Sequence, residues 1–189
     1  VNVNPVNDAP VLASGSTLAY TENATSAINT LITVADADNT TLSTATVSIT
    51  GGFVSGQDVL AFTNVPATMG NITGSYVAGT GVMTLSSAGN TATLAQWQAA
   101  LRAVTYNNSS DDPNTGARTV SYTVNDSAAN SNTVTSTVNL TSVNDAPTLT
   151  ATAASPTFTE GAGSTQAAAV SVFSGATTGT VESGQTITG

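Results

Sequence analysis

The sequence predicts an all-β protein: an antiparallel Greek-key β-sandwich with one short helix. Three observations predict it. Short runs of β-branched and apolar residues recur, each stopped by a cluster of Gly, Asn, Asp or Ser. Several runs alternate with a period of two, as in Ala117–Val124 and Thr133–Leu140, the spacing of a strand with one buried face. One segment, Thr93–Arg102, has a helical period instead. Many short strands around a single short helix argue for a sandwich.

Taken in order, Val11–Glu22 reads as a strand broken at Gly15. Ala27–Val34 is rich in β-branched residues and reads as the second. Ala45–Ile49 alternates and stops at Gly51-Gly52, and Val59–Phe62 is a short apolar run. Ile72–Val77 and Val82–Leu85 flank Gly79-Thr80-Gly81, a hairpin signal. In the helical segment, Leu94, Trp97 and Leu101 fall at i, i+3 and i+7, behind Thr93 as N-cap. That spacing assigns Trp97 to the core.

An internal repeat organises the chain. Val6-Asn7-Asp8-Ala9-Pro10 recurs as Val143-Asn144-Asp145-Ala146-Pro147, a period of 137 residues. Val1-Asn2 matches Val138-Asn139, and Tyr20-Thr21-Glu22 matches Phe158-Thr159-Glu160 after one insertion. The reading is a tandem array. Residues 1–5 are the terminal strand of a preceding repeat, 6–142 a complete repeat, and 143–189 the incomplete start of the next. Both ends cut the repeat, so a longer parent chain is expected. The last segment should supply strands at Thr148–Thr159, Ala167–Phe173 and Thr186–Thr188. Three strands leave apolar faces uncovered, to be completed by the rest of the repeat or by a neighbouring molecule. Val1–Asn4 is a candidate donor strand.

Composition narrows the chemistry. The 189 residues carry a net charge of −9, with 11 acidic residues, two arginines, and no lysine, histidine or cysteine. A nucleic-acid backbone binder needs basic residues. The usual zinc sites, cysteine nucleophiles, histidine triads and disulfides lack their side chains. Carboxylate chemistry remains: a two-carboxylate glycosidase or the binding of a hard cation. No apolar run approaches the roughly 18 residues of a membrane span, and no basic, then apolar, leader opens the sequence. A surface rich in Thr, Ser and Asn without lysine suits extracellular β-structure.

With charged residues only 7% of the chain, each carboxylate is informative. Asp8 sits in the linker, Glu22 ends the first strand, and Asp36 and Asp38 end the second as Asp-Ala-Asp. Asp126 follows the strand Val120–Val124, Asp111-Asp112 lie in a loop, and Asp58 has no evident grouping. Strands alternate in direction, so Asp8, Asp36 and Asp38 return to one pole and Glu22 goes to the other. Carboxylates converging without basic partners repel. A calcium ion with six to eight oxygen ligands resolves that repulsion.

These residues resemble the cadherin-like tandem repeats of large bacterial surface adhesins of the RTX and VCBS-repeat type. Asn-Asp-Ala-Pro is similar to the calcium-binding linker of cadherins, and Tyr20-Thr21-Glu22-Asn23 to their first-strand Glu-Asn motif. Val34-Ala35-Asp36-Ala37-Asp38 is similar to their Asp-x-Asp, and Val124-Asn125-Asp126 to their late Ala-x-Asp. The resemblance implies a cadherin- or immunoglobulin-like sandwich with Ca2+ at the domain junctions. It implies an upper site of Asn7, Asp8, Asp36, Asp38 and Asp126. It implies a lower site of Glu22, Asn144 and Asp145, with Asp111 or Asp112. The linker here lacks the leading Asp of the cadherin motif. Val172-Phe173-Ser174-Gly175 stands where the second repeat's Asp-Ala-Asp is expected, so the lower junction should bind fewer ions or bind more weakly.

The expected function is therefore a calcium-stiffened spacer repeat of an extracellular adhesin or surface fibre, without enzymatic activity. Its partners are neighbouring repeats of the same chain or neighbouring copies in a fibre, with a glycan or surface ligand as a further class. Neither nucleic acid nor a membrane span is expected. The alternatives are a surface-layer or filament subunit assembled by strand exchange, and a carbohydrate-binding sandwich. A glycosidase is the weakest, because no clear buried carboxylate pair stands out.

Overall fold

A computed structural model describes residues 6–163 and 167–188. The terminal strand expected at 1–5, and with it the donor Val1–Asn4, lies outside the described residues. The chain divides into two compact units, Val1–Val143 and Asn144–Gly189.

The first unit is built from eleven strands, two α-helices and a 3-10 turn at Ala88–Asn90 among its described residues. In order they are β1 (Val11–Ala13), β2 (Thr17–Thr21), β3 (Thr25–Ala27), β4 (Thr33–Ala35), β5 (Thr44–Gly51), β6 (Asp58–Ala61) and α1 (Pro66–Met69). Then come β7 (Ile72–Val77), β8 (Val82–Ser87), α2 (Leu94–Arg102), β9 (Thr105–Asn108), β10 (Arg118–Asn125) and β11 (Val134–Thr141). A six-stranded sheet has the order β2-β11-β10-β5-β8-β7. A three-stranded sheet, β3-β9-β6, and the pair β1-β4 complete the β-structure of this unit.

Alternation turns into two-faced sheets. Along β10, every second residue is buried, from Arg118 through Val120 and Tyr122 to Val124. The inward residues of the large sheet (Val47, Leu85, Val120, Tyr122, Val138) form one core with Leu60 and Tyr106 of the smaller sheet and Trp97 and Leu101 of α2. Tyr20 and Tyr106 tie the two sheets together, ring edge to ring face, with centroids 4.8 Å apart at 82°, a favoured aromatic geometry. The sheet is antiparallel as expected except at one edge, where β2 lies parallel to β11 with Thr17 opposite Thr137. There the first long strand returns beside the last.

Local chemistry explains where elements begin and end. α2 starts at a capping box: the Gln96 amide donates to Thr93 Oγ1 (3.3 Å) and the Thr93 amide to Gln96 Oε1 (2.9 Å). Thr93→Ala is expected to cost about 1 kcal/mol, measured by urea denaturation. The break between β1 and β2 follows from close packing, since a Cβ at Gly15 would lie 2.3 Å from the Thr135 carbonyl oxygen.

Three expectations need correction. Ala27–Val34 is not one strand but the end of β3, a turn and the start of β4. Asn29, fully buried, makes the turn: its Oδ1 accepts the amides of Leu31 and Ile32, both at 2.9 Å. A side chain that supplies the backbone's hydrogen bonds competes with the strand ladder. Second, the sequence reading assigned no strand to Thr105–Asn108, where β9 lies. It is the central strand of its sheet, with Asn108 fully buried. Third, α1 is a single turn opened by Pro66, whose fixed φ suits a first helical position.

In the second unit, β12 (Thr148–Ala153) pairs antiparallel with β13 (Phe173–Gly179), so Thr148 faces Gly179. The strand expected at Ala167–Phe173 thus begins at Phe173 instead, and no strand forms at Thr186–Thr188. β12 is exposed along its length. No helix among the described residues is long and apolar enough to cross a membrane.

Burial raises the pKa of all four tyrosines, Tyr20, Tyr76, Tyr106 and Tyr122, above the ordinary 10.0. The fold therefore favours their neutral form. That contribution is complete below pH 10 and is lost as pH rises through the folded values. Ultraviolet titration is expected to show little tyrosinate until the protein unfolds in alkali; free-tyrosine ionisation of the folded protein near pH 10 would contradict this.

Candidate metal centre

The turn after β4 and the strand end of β10 meet the incoming segment 7–10, whose Pro10 is buried. The Asn7 side-chain amide donates to Asp126 Oδ2 at 2.8 Å. The Asp8 backbone amide donates to Asp38 Oδ2 at 3.3 Å. Asn39, which was not among the candidate ligands read from the sequence, links the two: its Nδ2 donates to Asn7 Oδ1 at 3.0 Å and to Asp38 Oδ1 at 3.2 Å. Its signal was its place directly after Asp-Ala-Asp. Thus Asn7, Asp8, Asp36, Asp38 and Asp126 are gathered at one pole.

Backbone amides hold the carboxylates of Asp36, Asp38 and Asp126. Asp36 Oδ1 accepts the amides of Asp38 (3.1 Å) and Asn39 (2.9 Å), which folds the turn. Asp36 Oδ2 is buried and has no hydrogen-bond partner. Asp8 and Asp36 line one recess with Ala9, Val11, Ala35 and Ala37. Asp126 Oδ1 accepts the amides of Ala128 and Ala129, both at 2.7 Å. The Ala129 amide first, then the Asn7 side chain, holds the Asp126 carboxyl below the usual carboxylate range.

No arginine reaches this pole. Arg102 Nε donates to the Ile32 carbonyl at 2.9 Å, and Arg118 pairs with Asp58. The donors on offer are carboxylate and amide oxygens, the set that hard cations take, and the orphaned Asp36 oxygen fits such an ion. Among the described residues, no three acidic side chains already enclose a common centre. Amide bridges space them instead, so an ion would draw the carboxylates inward.

At the opposite pole of the first unit, Glu22 is 6% exposed. Its Oε1 accepts the Val143 amide at 2.8 Å, and its Oε2 has no hydrogen-bond partner. The neighbouring Asn23 donates to Asp111 Oδ1 at 3.1 Å. Asn144 and Asp145 belong to the second unit, where the Asp145 amide donates to Glu182 and Gln185 Nε2 donates to Asn144 Oδ1 at 2.8 Å. The expected lower set is therefore divided between the units.

Asp58 reverses its sequence reading. Without an evident grouping in the sequence, it is 1% exposed in the fold and is ion-paired to the equally buried Arg118 at 3.1 Å. Tyr106 (2.5 Å) and Asn108 (2.7 Å) donate to its Oδ1, and the Val54 amide (2.7 Å) to its Oδ2. Both oxygens are satisfied, as a buried charge requires. Sequence spacing held no signal for this pair, because 60 residues separate its members.

No family model matches the chain. One stretch of 103 residues is 39% identical to halomucin of Haloquadratum walsbyi (strain DSM 16790 / HBSQ001). The match covers 53% of this chain and 1% of halomucin's own length, so the relative is a far larger protein.

Proposed function

We propose that the chain is a calcium-stiffened structural repeat of a large extracellular surface protein, of the adhesin or surface-fibre kind. The observation that carries the reading is the pole itself: four aspartates, Asp8, Asp36, Asp38 and Asp126, gathered by hydrogen bonds with neither arginine there to neutralise them. Calcium is the fitting counter-ion, because it accepts many oxygen ligands in flexible geometry, whereas magnesium demands a near-ideal octahedron. Bound there, it would fasten the segment 7–10 to the sandwich and stiffen the point where the chain enters the repeat. The likeness of one stretch to a far longer protein supports a repeat within a large surface chain, as does the tandem Val-Asn-Asp-Ala-Pro.

The reading is non-enzymatic. Asp58 has no oxygen left for acid catalysis, and Trp97 is wholly buried and closed to a sugar ring. Partners are then neighbouring repeats, or copies packed in a fibre.

Extracellular modules bind calcium at about 10⁻⁴–10⁻³ M. A hundredfold excess over Kd is worth about 2.7 kcal/mol, or roughly 5–10 °C in Tm for a domain of this size. Melting in millimolar calcium and in chelator is the test. Asp36→Ala is expected to abolish most of the difference. An identical Tm in both conditions refutes the reading.

A further inference from the structure

We propose that, in the extracellular setting already inferred, Asn139 carries an N-linked glycan on the outer face of the large sheet.

The triplet Asn-x-Ser/Thr, with x other than Pro, is the acceptor of such glycans. It occurs at Asn23, Asn39, Asn71, Asn107, Asn108, Asn125 and Asn139. A chain rich in Asn and Thr yields such triplets by composition, and the fold separates them. At the first six, the side-chain nitrogen already donates within the protein. Asn23 donates to Asp111 Oδ1 (3.1 Å), Asn71 to the Ala88 carbonyl (2.8 Å) and Asn125 to Asn130 Oδ1 (2.7 Å). Asn39 bridges Asn7 and Asp38 at the crowded pole. Asn107 donates to the Ala24 carbonyl (2.6 Å), and Asn108, fully buried, donates to Asp58. Asn139 is different: its side chain is exposed and makes no hydrogen bond among the described residues.

Register explains the difference. β11 alternates, with Val138 and Leu140 in the core, so Asn139 and the Thr141 of its triplet both face solvent. β10 begins at Arg118, opposite Val138, one place short of Asn139. On the other side Asn139 is paired with Ala19 of β2, whose methyl group leaves room for a sugar. Ala19 also gives the glycan a purpose. β2 is the edge of its sheet and has neither a charge nor a proline along Thr17–Thr21. Such an edge is open to pairing with another chain. A bulky, solvated glycan one strand away obstructs that pairing.

The donor is an oligosaccharide linked through phosphate to a lipid. Asn139 Nδ2 bonds to the anomeric carbon, the bond from that carbon to the phosphate oxygen breaks, and the lipid phosphate leaves with the electron pair. One Nδ2 proton passes to a base of the transferase.

The 189-residue chain, secreted behind a cleavable leader from a eukaryotic host that N-glycosylates, tests the assignment by mass-spectrometric peptide mapping. Folded, secreted protein is expected to carry a glycan at Asn139 and none at Asn107 or Asn108. Asn139→Gln and Thr141→Ala should each remove that glycan's mass and leave Tm unchanged, since both side chains face solvent. Secreted protein with Asn139 unmodified overturns the inference, whatever the state of the other triplets. So does a glycan at Asn139 found solely in molecules that fail to fold. Calcium takes no part, so neither result bears on the melting test of the metal centre.

Discussion

Arg118→Met is expected to destabilise the first unit by about 3–5 kcal/mol, the cost of stranding a buried charge. The substitution leaves Asp58 fully buried with only neutral donors: Tyr106, Asn108 and the Val54 amide. It also frees a loop. Arg118 Nη1 donates to the carbonyls of Asn114 and Gly116, so one guanidinium holds the 114–116 turn against the sandwich. Hydrogen exchange should therefore accelerate in that loop before the rest of the unit. Asp58→Leu combined with Arg118→Met should cost much less than the sum of the single changes, since a buried pair replaced by apolar groups is often near neutral. Urea denaturation of the three variants gives the cycle. Additive losses would mean that the two side chains do not act as a pair.

Trp97→Ala is expected to cost about 3–5 kcal/mol, the usual range for emptying a core aromatic. Trp97 is fully buried, and its Nε1 donates to the Leu42 carbonyl at 3.1 Å. Removing it opens a cavity between α2 and the core and strands a buried carbonyl. Trp97→Phe separates these effects: it keeps much of the apolar volume, and loss of the hydrogen bond should contribute about 1 kcal/mol. Thermal or urea unfolding checks both. A near-neutral Trp97→Ala would mean the indole is not a core element.

Much of this was legible in the residues. Period-two alternation located β5, β10 and β11, because a strand with one wet face must alternate, and the Gly79-Thr80-Gly81 turn located β7 and β8 on either side of it. The i, i+3, i+7 spacing located α2 and buried Trp97, and Thr93 marked its start. Asp-Ala-Asp and Asn-Asp located the crowded pole, since strand direction alone returns those segments to one end. Short-range chemistry of this kind is written in adjacent residues.

The tertiary structure decided what depends on distant partners. Asn29 breaks an apolar run because its amide also reaches the Ser14 carbonyl (2.9 Å) and Ser136 Oγ (3.0 Å). Asn107-Asn108 becomes a central strand because Asp58 stands ready to accept the Asn108 side chain. Asp58 itself is a core residue only because Arg118 arrives from β10. Glu182 joins the second linker only through the pairing of β12 with β13. A charge can be buried only where folding supplies its partner, and that partner is set by the pairing of strands rather than by any local pattern.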